Sequence, residues 1–167
     1  MRERVLAVRR AQDEDAQAIF EVHTRSIREI CASHYSAAEV ETWASCRPAG
    51  SHLTAIRSRE CFVATDDAGI VGFGQLDLAT GEVEAVYVHP RAVRQGVGAR
   101  LLRTLEEVAR VAGLSVLHLK STLNALPFYE HAGFRIEAQA THRISPEVAL
   151  ACVEMRKELR SGDVATV

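Results

Sequence analysis

The sequence predicts a mixed α/β (α+β) fold, a mostly antiparallel sheet flanked by helices. Three observations predict it. Apolar runs at 61–65, 70–78 and 82–89 are separated by the turn signals Asp66-Asp67-Ala68-Gly69 and Thr80-Gly81, the pattern of a meander. The clearest amphipathic helix lies between the third run and a short apolar run at 116–119. Strands joined through a helix run parallel, so one parallel junction is expected there. Two final runs, 134–141 and 149–157, read as an antiparallel pair.

The elements follow in order. Val5 to Val8 reads as a first strand. Asp13 or Asp15 opens a helix whose face is Ala16, Ile19, Phe20, His23, Ile27 and Ile30. Ser36 and Glu39 fit a capping box, so a second helix runs from Ala37 past Trp43. Pro48-Ala49-Gly50-Ser51 ends it, and Leu53 to Ser58 forms another short helix. The three meander strands come next, the last stopped by Pro90. The strong helix presents Val97, Leu101, Leu102, Leu105, Val108, Ala109 and Ala112 on one face and stops at Gly113. A short helix holds Leu126 to His131 and ends at Gly133. Residues 1–160 read as a single domain and 161–167 as a mobile tail.

The formal net charge is -2, which gives no footprint for nucleic acid or an anionic membrane. The first ten residues hold no long apolar stretch, so neither a signal peptide nor a membrane span is expected, and the expected compartment is cytoplasmic. Four cysteines make no C-x-x-C pair, and seven histidines show no metal-ligand spacing, so free thiols and no metal are expected.

The segment Arg94-Gln95-Gly96-Val97-Gly98-Ala99 sits between a strand and a helix. Amides at a helix start lack intrahelical partners, the helix dipole is positive there, and glycine admits a bulky anion close to the backbone. Such a turn suits a pyrophosphate. Leu101 stands where a dinucleotide fingerprint needs its third glycine, and no Gly-Lys-Ser/Thr follows, which removes a P-loop.

Three segments together resemble the GNAT N-acetyltransferase superfamily: Val86-Tyr87-Val88-His89-Pro90, the turn Gly96-Val97-Gly98-Ala99, and Asn124 through Phe134, with its Pro127-Phe128-Tyr129-Glu130. The resemblance covers about Val5 to Lys157 and implies a sheet splayed at the parallel junction to hold acetyl-CoA. It implies a pantetheine arm beside Val86, Tyr87 and Val88, a pyrophosphate on the amides of Arg94, Gln95, Gly96, Val97, Gly98 and Ala99, and Asn124, Phe128 and Tyr129 flanking the thioester end. The family's turn begins with Arg or Gln, where this chain has Val93, so that position offers no polar side chain. The implied reaction is attack of a primary amine, from a small molecule or a peptide, on the thioester. Family members often dimerise, so a homodimer is a further expectation.

An alkyl ammonium with a pKa of about 10.4 needs a base at neutral pH. Glu82 and Glu84 stand two apart on one strand and face the same side if it is regular; a bulge would break that parity. The resemblance favours Glu84. The resemblance also implies Tyr129 as the candidate acid for the leaving thiolate. Asn124 also fits the cap of the next helix. His34, Tyr35 and Trp43 are candidates for the acceptor pocket, and packing explains aromatic residues equally well. A non-catalytic acyl-CoA sensor, and a nucleotide-binding module using the same turn, are the competing readings.

Overall fold

The computed structural model describes residues 5–48 and 50–160; the expected tail at 161–167 lies outside them. The strands are β1 (Ala7–Arg10), β2 (Glu60–Asp66), β3 (Gly69–Asp77), β4 (Glu82–Val88), β5 (Val116–Thr122), β6 (Arg135–Arg143) and β7 (Ala149–Glu158). The helices are α1 (Ala16–Glu29), α2 (Ala37–Ser45), α3 (Ser51–Ser58), α4 (Val97–Val111) and α5 (Leu126–His131). One sheet runs in the order β1-β2-β3-β4-β5-β7-β6. Among the described residues only β4 and β5 are parallel.

That parallel pair is short. Its one paired position is Glu82 with His118, after which the strands part. β5 instead pairs along its whole length with β7, which inserts between β5 and β6. The edge of β4 beyond Val83 therefore opens onto a cleft rather than onto a neighbouring strand.

Several elements follow their local sequence. Glu39 N–H donates to Ser36 Oγ (3.1 Å), and Ser36 N–H donates to Glu39 Oε1 (2.9 Å), the reciprocal cap of α2. α4 buries Val97, Leu101, Leu102, Leu105 and Ala109, and also Glu106, whose carboxylate takes Lys157 Nζ at 2.8 Å. Val108 is only partly buried and Ala112 is exposed.

Three elements differ from expectation. β1 lies two residues later than Val5–Val8, because Arg9 and Arg10 are held in the strand by Asp15 and Glu60. α1 is rotated so that Val22 and Ser26 join Ile19 and Ile27 inside, while Phe20 is 41% exposed. Phe20 packs against His52 and under the Arg47 guanidinium instead. β5 extends to Thr122, beyond the apolar run that marked it.

α1 packs on one face of the sheet through Ile19 and Val22 against Val63 and Phe73. α4 and α5 pack on the other, through Leu102, Leu105 and Tyr129 against Leu76, Leu117 and Met155. Gly72 sets the closeness of α4. A Cβ there would stand 2.9 Å from Val97 Cγ1 and 3.0 Å from both Leu101 Cδ1 and the Tyr87 carbonyl oxygen. Backbone cannot yield as a side chain does, so Gly72→Ala is expected to lower stability by about 1–3 kcal/mol. A urea titration with unchanged slope checks this.

His52, on α3, packs edge-on against His23 and Phe73. Burial, then the nearby Arg47 charge, pushes its pKa down to about 4. Burial, Arg47 and His52 hold His23 well below its ordinary value too. An unfolded histidine titrates near about 6.5, so the unfolded chain binds more protons between there and about 4. The stability present above that window is lost as pH falls through it. Melting temperatures between about pH 7 and 4.5 are expected to fall more steeply for the natural chain than for His52→Gln.

Candidate active site

The opening between β4 and β5 is a cleft of about 530 Å³. β4 forms one wall from Val83 to Val88, and Lys120 and Thr122 of β5 stand opposite. Ser26, Ile30 and Cys31 close it from the end of α1, and Asn124, Ala125, Phe128 and Tyr129 from the start of α5. The glycine turn supplies Val93, Arg94, Gly96, Val97, Gly98 and Ala99.

The turn has the geometry of an anion cradle. Arg94 has φ 60 and Gly96 has φ 78, both in the left-handed region. Arg94 is the only described residue other than glycine there. Left-handed residues among right-handed ones turn successive N–H groups toward one side. The first backbone bond of α4 is donated by Arg100 to the Gly96 carbonyl (3.1 Å), so the N–H groups of Val97, Gly98 and Ala99 precede the helix ladder. A Cβ on Gly98 would stand 3.3 Å from the Phe128 ring, so this glycine also lets α5 close over the turn. Gln95 differs from its neighbours: its side chain donates to the Arg91 carbonyl (3.3 Å) and lines a smaller cavity with Leu6 and Asp66.

Tyr129 is buried on α5, yet its hydroxyl has no hydrogen-bond partner among the described residues and the residue lines the cleft. Burial raises its pKa above the ordinary tyrosine value. Asn124 does not cap α5, whose first turn has no side-chain cap. Its side chain lines the cleft together with Cys31, and its Oδ1 is buried with no partner among the described residues. That leaves an acceptor free to take a donor from a ligand in the cleft. Burial pushes the Cys31 thiol up to about 12, so it is an inert protonated wall.

Glu84 sits at a bulge. Gln75 pairs with Ala85 and Leu76 with Val83, which skips Glu84. The bulge breaks the alternation of β4: Val83 packs on the α4 side, whereas Ala85 and Tyr87 pack on the α1 side. Glu84 accepts a hydrogen bond from Arg59 Nε at 2.5 Å. The Glu82 side chain makes no hydrogen bond or ion pair with any described residue. It lines a second cavity of about 580 Å³, which shares Val83, Glu84, Tyr87, Lys120 and Thr122 with the first.

Tyr35 and Trp43 line that second cavity. The Tyr35 hydroxyl donates to the Ala151 carbonyl (2.7 Å) and accepts from Leu123 N–H (3.0 Å), so it ties the chain after α1 to β7. Trp43 is 8% exposed and belongs largely to a core with Ile27, Val40 and Leu150. His34 lines neither cavity; it is exposed, with Nδ1 2.8 Å from Ser33 Oγ. Sequence reasoning passed over Ser26, Ile30, Cys31 and Arg47. A helix face pointing at a sheet opening carries no local signal.

No group of three or more His, Cys, Asp or Glu among the described residues could hold a metal ion. Among the same residues no helix is long and apolar enough to cross a membrane.

Comparisons with known proteins agree with this geometry. Residues 57–136 match the family model of the acetyltransferase (GNAT) domain. A GCN5-related N-acetyltransferase structure from Rhodopseudomonas palustris is 30% identical, with a TM-score of 0.86 over 92% of this chain and 95% of that one. The PaiA N-acetyltransferase of Thermoplasma acidophilum, solved in complex with coenzyme A, shares the fold at 21% identity and a TM-score of 0.76, over 92% and 99% of the two chains. An IAA acetyltransferase of Azospirillum brasilense is 35% identical over 79 residues, 43% of this chain. The match spans 52% of that relative, about half its length. On its fold, on the family model and on a relative matched over nearly its full length, the chain belongs to the GNAT acetyltransferase family.

Proposed function

We propose that this protein is an acetyl-CoA-dependent N-acetyltransferase that acts on a primary amine by direct attack. One observation carries the reading. The cleft opened between β4 and β5 runs from the amide turn at Arg94–Ala99 to the unpartnered Tyr129 hydroxyl, so one site joins an anion cradle to a hydrogen-bond donor. The residues present fit acetyl-CoA. Amides from Val97 to Ala99 suit its pyrophosphate, the open edge of β4 suits the amides of its pantetheine arm, and the orphaned Asn124 Oδ1 suits an N–H group.

Acetyl-CoA supplies the thioester: a C–N bond to the amine forms, the C–S bond breaks, and one amine proton leaves as the thiolate is released. The acceptor amine approaches from the second cavity, which opens onto the same stretch of β4. Its proton passes to a carboxylate there. Glu84 is ion-paired with Arg59 through Oε1, whereas the Glu82 side chain has no hydrogen-bond or ion-pair partner among the described residues, which favours Glu82, directly or through water. The Tyr129 hydroxyl donates a hydrogen bond to the departing thiolate.

The Arg59–Glu84 bond is also the observation that favours a non-catalytic acyl-CoA sensor, a site that binds and does not turn over. Release of free thiol from acetyl-CoA with a panel of primary amines separates the two. Amine-dependent thiol release supports the enzyme; tight binding with no release from any amine supports the sensor.

A further inference from the structure

The second cavity contains an arginine with no acid. Arg47 lies half-buried after α2, and no carboxylate among the described residues pairs with it. Its Nη1 lies 2.6 Å from His23 Nδ1, and its Nη2 donates to Thr24 Oγ1 at 3.1 Å. A guanidinium only donates, so His23 Nδ1 is the acceptor and the proton of the neutral ring sits on Nε2. His23 Nε2 and Arg47 Nε are both buried with no partner among the described residues. Two neighbouring donors thus lack an acceptor, in a wall that faces a cavity. The remaining cations there, Lys120 and Arg143, also make no ion pair with described residues; Arg143 Nη1 donates to the Pro146 carbonyl. At the β4 end stands Glu82, and Glu84 is already matched by Arg59. The cavity therefore has an excess of donors away from β4 and a free carboxylate beside it.

We propose that the acceptor is an amine that also carries an oxyanion, a carboxylate or a phosphate monoester, and that Arg47 and His23 Nε2–H bind that oxyanion while the amine points toward Glu82. A guanidinium fork matches the paired oxygens of either group. Burial keeps His23 neutral and leaves Arg47 as the fixed charge of the pair. This inference rests on the acetyltransferase reading and deepens it.

The test uses matched acceptors: phenylalanine with phenethylamine, and phosphoethanolamine with ethanolamine. For each pair the ratio of kcat/KM, acid-bearing over acid-free, is compared between the natural protein and Arg47→Met. Comparing ratios cancels the intrinsic reactivity of the amines. At least one ratio is expected to fall by about tenfold or more in Arg47→Met, and the pair that responds identifies the oxyanion. Arg47→Lys, which keeps the charge without the fork, is expected to fall in between and guards against misfolding of the methionine variant. Ratios unchanged in both variants overturn the inference. A second arm needs no turnover: 3-phenylpropionate and inorganic phosphate are added in thermal melts. Stabilisation of the natural protein by either, lost in Arg47→Met, supports the oxyanion site even where no amine releases thiol, an outcome that would count against the enzyme reading alone. No stabilisation by either, together with unchanged ratios, rejects the site while thiol release keeps the enzyme.

Discussion

Gly96→Val is expected to weaken acetyl-CoA binding by about tenfold to a hundredfold. Gly96 has φ 78, which a β-branched residue reaches only with strain of about 1–2 kcal/mol. A Cβ there would meet nothing within 4 Å, so the effect is conformational and not a clash. The turn would relax toward negative φ and swing the amides ahead of α4 out of line. Gly96→Asn makes the control, because asparagine tolerates the left-handed region and is expected to lose much less. Calorimetric titration of both variants with acetyl-CoA checks the order. Equal losses would mean that a side chain at this position obstructs the ligand instead.

Tyr129→Phe is expected to lower kcat by about tenfold to a hundredfold and to change acetyl-CoA affinity far less. The hydroxyl has no hydrogen-bond partner to lose among the described residues, and its ring stays packed between Phe128 and Phe134 at 5.0 and 5.7 Å. Burial raises its pKa further above that of a thiol, which makes complete proton transfer to the thiolate more uphill than in water. Under the proposed function the hydroxyl would therefore donate a hydrogen bond and stay protonated. The defect is expected to be constant from about pH 6 to 9, measured as single-turnover thiol release. Unchanged turnover throughout that range would remove Tyr129 from the chemistry.

The parts of this site that sequence reveals are local. The turn at 94–99 and the segment from Asn124 to Phe134 each carry their geometry in neighbouring residues: glycines before an amphipathic helix, and a proline near the start of a short one. The same holds for the meander and for the cap at Ser36. What stayed hidden depends on pairing. β7 inserts between β5 and β6, and no local pattern at 149–158 announces which strand it will join. The bulge at Glu84 arises from register with β3 and reverses the faces of Val83 and Ala85. Gly72 looks like an ordinary strand glycine until α4 lies on it. Arg59 becomes the partner of Glu84 only across 25 residues of chain. His34 and Gln95 show the converse: adjacency in sequence to Tyr35 and Gly96 did not bring their side chains to the site.

The central claim is that the cleft between β4 and β5 is built for acetyl-CoA and not for another phosphate ligand. Isothermal titration of the natural protein with acetyl-CoA and with ATP tests it most directly. Acetyl-CoA is expected to bind at one site, about tenfold or more tighter than ATP, since only its pantetheine arm and thioester reach the open edge of β4, Asn124 and Tyr129. Equal or tighter binding of ATP would contradict it, leaving the turn as a general phosphate cradle.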